Sequence, residues 1–321
     1  MGQRHHHCCV YLGEALARYG FGNDHPFGPM RHHVFEQAFR NKTLDKKVDI
    51  LPPKSVDQSV IELFHSHDYV EKVKQLSKAG TGFLDNGDTP AFKGMFEAAS
   101  SVVGSVCDAI DRIVNNEYKH AFIPIAGLHH ARRDVAAGFC VFNDCGVAIE
   151  YLRHKHRIQH IAYIDIDAHH GDGVFYSFEA DPDLIFADIH EDGRFLYPGT
   201  GAKTETGKGE AKATKLNIPM LPESGDKDFF RVWESVEKFL LAHDVDFIIL
   251  QCGADSIKGD PITHMAFSEK AHAHAAARLS VLANKMCRGR VLAVGGGGYN
   301  HVNIARAWTA VVESLADVSA I

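Results

Sequence analysis

Apolar residues gather along this chain in five short runs, at 121–125, 161–165, 184–189, 246–251 and 290–294, each rich in β-branched or aromatic side chains. Between them lie longer segments, 95–114, 228–242 and 268–286, whose apolar positions recur at helical spacing, with Asp226 and Ser268 as candidate helix N-caps. Strands alternating with helices predict an α/β chain built on a parallel sheet flanked by helices. The Gly, Thr and Lys content of 199–209 predicts a long exposed loop that shapes an active-site rim. Polar clusters follow the apolar runs: Gly127 to His130 after the first, Asp165 to Asp172 after the second, Asp188 to His190 after the third, Gly253 to Asp255 after the fourth and Gly295 to Tyr299 after the fifth. Ligands of an open parallel sheet bind beyond the carboxyl ends of its strands, so five separate motifs are expected to converge on one site.

Composition narrows the class without changing this picture. A chain of 321 residues with 45% hydrophobic and 23% charged side chains can bury one large core, and no composition break divides it, so one domain over 1–321 is expected. Its apolar runs are too short to span a bilayer and no signal-peptide core follows Met1, which points to a soluble, cytoplasmic protein without a membrane partner. Seven cysteines, mostly inside apolar runs, read as free thiols. A formal charge of -7 argues against an extended nucleic-acid surface and weakly favours cationic partners. The His5-His6-His7-Cys8-Cys9 cluster offers soft metal ligands, but adjacent residues of an extended chain end point to alternate faces, so no metal site is expected there.

The densest chemistry lies in Asp165-Ile166-Asp167-Ala168-His169-His170-Gly171-Asp172-Gly173. Strand alternation would turn Asp165, Asp167 and His169 to one face. Asp167, His169 and Asp255 supply two carboxylates and one imidazole and leave a coordination position open, the pattern of a catalytic zinc; Fe(II), Mn(II) and Co(II) also fit. Asp255 alone reads more readily as an ordinary helix N-cap, and it is the context that makes it a ligand candidate. His129 and His130 have carboxylate partners to spare in Asp165 and Asp172, and such pairing fixes the tautomer and raises the basicity of a proton-transfer group. In Gly295-Gly296-Gly297-Gly298-Tyr299-Asn300 the spacing is wrong for a phosphate loop; the glycines let backbone approach a tunnel wall and project Tyr299, either as an oxyanion donor or as simple packing. Gly138-Phe139-Cys140-Val141-Phe142-Asn143 would add aromatic wall.

Taken together these motifs closely resemble the histone deacetylase, acetoin-utilisation and acetylpolyamine amidohydrolase superfamily, in its compact prokaryotic form. The likeness starts at Gly22-Asn23-Asp24-His25-Pro26-Phe27 and runs through Tyr197-Pro198-Gly199-Thr200-Gly201 to Asn300. It implies a three-layer, arginase-like α/β fold. It also implies Zn2+ on Asp167, His169 and Asp255, His130 with Asp172 as main base and acid, His129 with Asp165 as electrostatic aid, and Tyr299 on the oxyanion. The two histidine roles are interchangeable at this stage. The resemblance further implies K+ on Asp165, Asp167 and the carbonyls of His169 and Ile189, with Asp188 in place of a usual Ser and able to tighten or alter that site. Substrate contacts implied are Gly138, Phe139, Tyr197, Gly297 and the rim Asp88, while Ile262 stands where one polyamine-specific branch has a gatekeeper Glu. Arg31 matches the arginine of an internal product channel, and Ile125-Ala126-Gly127-Leu128 replaces the usual Arg-Pro-Pro-Gly.

The expected activity is zinc-dependent removal of acetyl or a short acyl group from an acyl-lysine side chain or an acylpolyamine. Two alternatives are a binuclear manganese ureohydrolase, from which His170-Gly171-Asp172 departs, and an inactive acyl-ligand binding protein. Homo-oligomerisation is left open.

Overall fold

The computed structural model describes residues 6–22 and 25–317, so His5 of the His-Cys cluster and Asn23 and Asp24 of the first motif lie outside it. Eight strands form one sheet: β1 Cys8–Tyr11, β2 Asp49–Leu51, β3 His120–Ile123, β4 Ile161–Asp165, β5 Leu184–Glu191, β6 Lys215–Met220, β7 Phe247–Gln251 and β8 Val291–Val294. All pairings are parallel, in the order β2-β1-β3-β8-β7-β4-β5-β6. The ten α-helices found among the described residues are α1 Glu14–Ala17, α2 Met30–Asn41, α3 Gln58–Ile61, α4 His67–Ala79, α5 Met95–Val114, α6 Asp144–His156, α7 Asp172–Ser177, α8 Asp226–Leu241, α9 Glu269–Met286 and α10 His301–Ala316. One packed set contains α2, α8, α9 and α10, the other α3 to α7, and α1 touches both through α2 and α5.

Every residue of β3, β4, β5, β7 and β8 is buried, which is why they read as unbroken apolar runs: a parallel sheet covered on both faces has no solvent side to alternate toward. These five strands are neighbours in the order β3-β8-β7-β4-β5, so the polar clusters that follow them emerge side by side. The three remaining strands carried weaker signals. β1 is an interior strand made of residues that read as a frayed chain end; Cys8 and Cys9 are fully buried and His7 Nε2 meets the Leu315 carbonyl at 3.1 Å. β2 has only three residues, and β6 lies at the sheet edge, where Pro219 is tolerated. All seven cysteines are buried free thiols, and no helix among the described residues is long and apolar enough to cross a membrane.

Two helix boundaries differ in an instructive way. Ser268 caps α9 as its spacing predicts, its hydroxyl accepting from Lys270 N at 3.2 Å. Asp226 is instead the first residue of α8, after Gly225, and its carboxylate accepts from the Ser268 amide at 2.7 Å and hydroxyl at 2.6 Å, tying the start of one helix to the start of the next. The segment 199–209 is a loop with most residues half or fully exposed, but none of it lines the pocket described below. It is anchored through Thr200 and the Gly201 carbonyl to His170 and His190.

His120 shows what the core imposes on a titratable group. Its ring is buried, Nδ1 donates to Leu315 O at 2.7 Å and Nε2 faces the Ser280 hydroxyl at 3.2 Å, an arrangement that suits the neutral imidazole. Burial lowers its pKa to about 4 despite the Leu315 bond. The unfolded chain therefore takes up a proton near pH 6.5 that the folded chain refuses until about 4, and this contribution to stability is lost as pH falls. Between pH 7 and 5, His120→Gln is expected to lose less stability than wild type by about 2 kcal/mol in urea unfolding. Parallel pH dependences in the two proteins would contradict it.

Candidate active site

Beyond β4 the chain steps through turns that its own acids direct. Asp165 Oδ1 accepts from Asp167 N at 3.0 Å, and Asp167 Oδ1 from His169 N at 3.0 Å. The strand ends at Asp165, so these carboxyl-to-amide turns, and not strand alternation, aim the side chains. Asp165 directs its other oxygen, Oδ2, to His129. The third member of the cluster arrives from the end of β7, where Asp255 sits inside the short 3-10 turn Ala254–Ser256. Gly253 holds the N-cap position, and Asp255 Oδ1 accepts from Ala168 N at 2.9 Å, which locks the two loops together.

The donor atoms of Asp167, His169 and Asp255 lie within 4.8 Å of one another, all buried, and they are the one such trio found among the described residues. His169 Nδ1 is 3.1 Å from Asp167 Oδ1 and 3.1 Å from Asp255 Oδ2. Burial and the facing Asp167 push the Asp255 carboxyl up to about 7. Two carboxylates and an imidazole converging in a dry pocket fit a divalent cation, which removes the mutual repulsion. The glycine after β8 is part of this fit: a Cβ on Gly297 would lie 2.0 Å from Asp255 Oδ2 and 2.8 Å from Asp167 Oδ2, and its amide donates to Asp167 Oδ2 at 2.8 Å.

The histidine pair follows β3. His129 Nδ1 lies 2.8 Å from Asp165 Oδ2, and His130 Nδ1 lies 2.7 Å from Asp172 Oδ1. Burial opposes charge on both rings, but at His129 Asp165 and Asp167 outweigh it and raise the pKa to about 10. At His130 burial and the neighbouring His129 win over Asp172, lowering it to about 4. The two rings, 4.2 Å apart, are thus pushed in opposite directions, and His130 is the one that lines the neighbouring pocket. That difference separates two residues the sequence left interchangeable.

This pocket, of about 250 Å³, has His130, His169 and Tyr299 among its lining and carries Asp88, Gly138, Phe139, Tyr197 and Ile262 as well. Phe139 is fixed by its carbonyl accepting from Tyr19 Oη at 2.8 Å. Gly138 has φ +52°, and a Cβ there would come within 2.4 Å of the His130 ring. Tyr197 packs edge-on to His130 at 5.2 Å, and Tyr299 edge-on to Phe139 at 5.8 Å. Burial and Asp255 raise the Tyr299 phenol well above its ordinary value, so it stays a neutral donor. A wider groove of about 570 Å³ runs along β6 and α8, but no metal-ligand trio lines it.

Gly297 lies deeper, in a cavity of only about 10 Å³ beneath the pocket, room for one water. Fully buried Arg31 braces that floor, its Nε donating to Gly298 O at 2.8 Å and Nη2 to Gly296 O at 2.5 Å while the guanidinium lies 3.8 Å over the Phe27 ring. Asp188 is already engaged: Oδ1 is 2.7 Å from His190 Nδ1, and Oδ2 accepts from Gly171 N at 2.9 Å. His190 Nε2 in turn faces Gly201 O at 2.9 Å. The extra carboxylate is thus matched by a histidine and does not stand as a free anion beside Asp165.

Several supporting residues escaped the sequence reading. Gln251, the single polar residue ending an apolar strand, donates to Asp167 Oδ2 at 2.9 Å and to Gly127 O at 3.1 Å and accepts from Gly253 N at 2.8 Å, joining three of the five motifs. Asp260 Oδ2 accepts from Tyr299 N at 2.8 Å, and Asp144 accepts from Gly127 N and Leu128 N, each at 2.8 Å. Tyr163 Oη donates to Asp165 Oδ2 at 2.7 Å.

A pocket floored by acids, imidazoles and one phenol, at the carboxyl ends of a parallel sheet, defines a hydrolytic class of site. The histone deacetylase domain is matched over residues 25–315, and the chain belongs to that family, as its motifs imply. It is accordingly an amidohydrolase of the acetyl-amide type. Similar proteins include the acetoin utilization protein AcuC of Bacillus subtilis (strain 168), 36% identical over 303 residues, covering 91% of this chain and 78% of that protein. AcuC of Staphylococcus xylosus is 32% identical, covering 95% and 81%. In fold, the crystal structure of the HDA15 HD domain superimposes with a TM-score of 0.88 at 23% identity, covering 98% of this chain and 90% of that one.

Gly297→Ala is expected to displace Asp255 and Asp167 and to weaken divalent-metal binding by about 10-fold or more, read by competition with a chromophoric chelator. Unchanged affinity in the folded variant would contradict the reading of these three residues as one cradle.

Proposed function

We propose that this chain is a zinc-dependent deacylase that removes acetyl or a short acyl group from an amine nitrogen, on an acyl-lysine side chain or an acylpolyamine. The observation that carries the reading is the buried Asp167, His169 and Asp255 trio beside two His-Asp pairs at the floor of an aromatic-walled pocket. A divalent ion held by these three residues, zinc or alternatively Fe2+ or Co2+, would supply Lewis-acid activation of water and of the acyl carbonyl.

The chain's own groups do the rest. Phe139 and Tyr197 flank the extended alkyl part of the substrate, and Asp88 at the rim accepts from a substrate N–H or draws a cationic nitrogen. His130, neutral and oriented by Asp172, takes the proton of the attacking water and returns it to the leaving amine. His129, held as a cation by Asp165, stabilises negative charge developing beside it. The Tyr299 hydroxyl donates to the oxyanion. Asp165, Asp167 and the carbonyls of His169 and Ile189 would hold K+, and the extra carboxylate, Asp188, is paired with His190 at 2.7 Å. His170 turns Nδ1 to Thr200 Oγ1 at 2.8 Å and is no member of the trio, which supports one catalytic metal and not two. Seven buried free thiols support a reducing compartment, the cytoplasm.

Incubation with acetyl-lysine peptides and acetylpolyamines is expected to release acetate, to stop on metal chelation and to resume on zinc addition. Turnover indifferent to chelation would overturn the mechanism. Tyr299→Phe is expected to cost on the order of 100-fold in rate with metal content unchanged; near-normal rates would remove Tyr299 from the oxyanion role.

A further inference from the structure

His25 stands behind two walls of the pocket and is not among the residues that line it. Its ring packs edge-on to Phe139 and tilted to Phe21, with centroids 4.6 Å away in each case. The Phe27 amide donates to Nδ1 at 3.0 Å, so Nδ1 carries no proton and the one ring N–H sits on Nε2. From there it donates to the Asp88 carbonyl at 3.2 Å. Only the neutral Nε2–H tautomer makes both bonds, and burial, which lowers the His25 pKa, favours that neutral form over the cation.

Asp88 belongs to a tight loop that Asp85 organises from inside. Asp85 Oδ1 accepts from the amides of Gly87 at 3.0 Å and of Asp88 and Thr89 at 2.9 Å each, and Thr89 Oγ1 donates to Oδ2 at 2.6 Å. Leu84 N donates to Thr89 O at 3.0 Å and Ala91 N to Gly82 O at 2.8 Å, closing the base, which Lys72 ties to α4 through Leu84 O at 3.1 Å. The exposed tip is tied through His25. Amide and carbonyl of Asp88 are both held, which sets the direction of its side chain from the main chain. On the other side of the imidazole, Phe139 has φ +69°, a conformation uncommon outside glycine, and the Tyr19 bond and the His25 ring hold it there. We propose that His25 is a positioning residue that sets the rim Asp88 against the wall Phe139, and so fixes the grip on the substrate nitrogen at the tunnel mouth. This rests on the deacylase reading above. The partners of His25 belong to rim and wall and not to the trio or the proton-transfer pair, so its influence falls on substrate binding and not on the chemical step.

The test uses variants of the full chain, with turnover of an acetyl-lysine peptide and cleavage by chymotrypsin as separate readouts. His25→Phe keeps a ring against Phe139 but removes the donor; its KM is expected to rise about 5-fold with kcat within about 2-fold of wild type. In an Asp88→Ala background the same substitution is expected to leave KM unchanged, because it acts through Asp88. His25→Gln, which keeps a donor without the ring, is expected to recover part of the KM. Independently of turnover, chymotrypsin is expected to cut after the exposed Phe83, at the base of the loop, faster in His25→Phe than in wild type. Wild type without turnover would count against the deacylase reading, and the cleavage rates would then decide this proposal alone. An equal KM rise with and without Asp88, a loss confined to kcat, or unchanged cleavage after Phe83 overturns it.

Discussion

Too many acids are buried at one end of this sheet for the fold to stand without matching charge. Asp144, Asp165, Asp167, Asp172, Asp188 and Asp255 all lie out of solvent near the carboxyl ends of five adjacent strands. A carboxylate in such surroundings either finds donors and cations or keeps its proton. Most are answered from within the chain: Asp144 by two backbone amides, Asp165 by His129 and Tyr163, Asp172 by His130, and Asp188 by His190. Asp167 and Asp255 face each other across one imidazole; Gln251 and the amides of Ala168, His169 and Gly297 bond their oxygens, and the two carboxylates still repel. Ligand type and the repulsion between these carboxylates both favour a cation there.

The rest of the architecture serves that arrangement. Strand order brings β3, β8, β7, β4 and β5 together, so loops distant in sequence share one floor. Gln251 cross-links the loops through three hydrogen bonds, and Gly297 leaves room where any side chain would strike a ligand.

Much of this was legible in the sequence because the strands that position the site are the buried central ones. Their apolar runs mark the strands, and the polar cluster that follows each run is conspicuous. The helix over 95–114 coincides with α5 to the residue, since its apolar spacing persists for twenty residues. What the sequence hid was set by tertiary contact. β1 reads as a ragged His-Cys terminus until it is seen wedged between β2 and β3. Asp226 has the right chemistry for an N-cap, yet its partner is Ser268 forty-two positions away. Within the site, residue types brought out Asp167, His169 and Asp255, which the fold gathers into one cluster, but the distinction between His129 and His130 required knowing which ring lines the pocket and which lies against Asp165. Gln251 and Asp260 were invisible because an amide or an acid at a strand end or turn has many ordinary uses.

The central claim is that Asp167, His169 and Asp255 form one divalent-metal site that completes the buried charge. Elemental analysis of the purified chain and of Asp255→Asn tests it most directly. One divalent ion per wild-type chain, lost in the variant, is the result this account predicts. Two ions per chain, or one ion retained by Asp255→Asn with undiminished affinity, would contradict it.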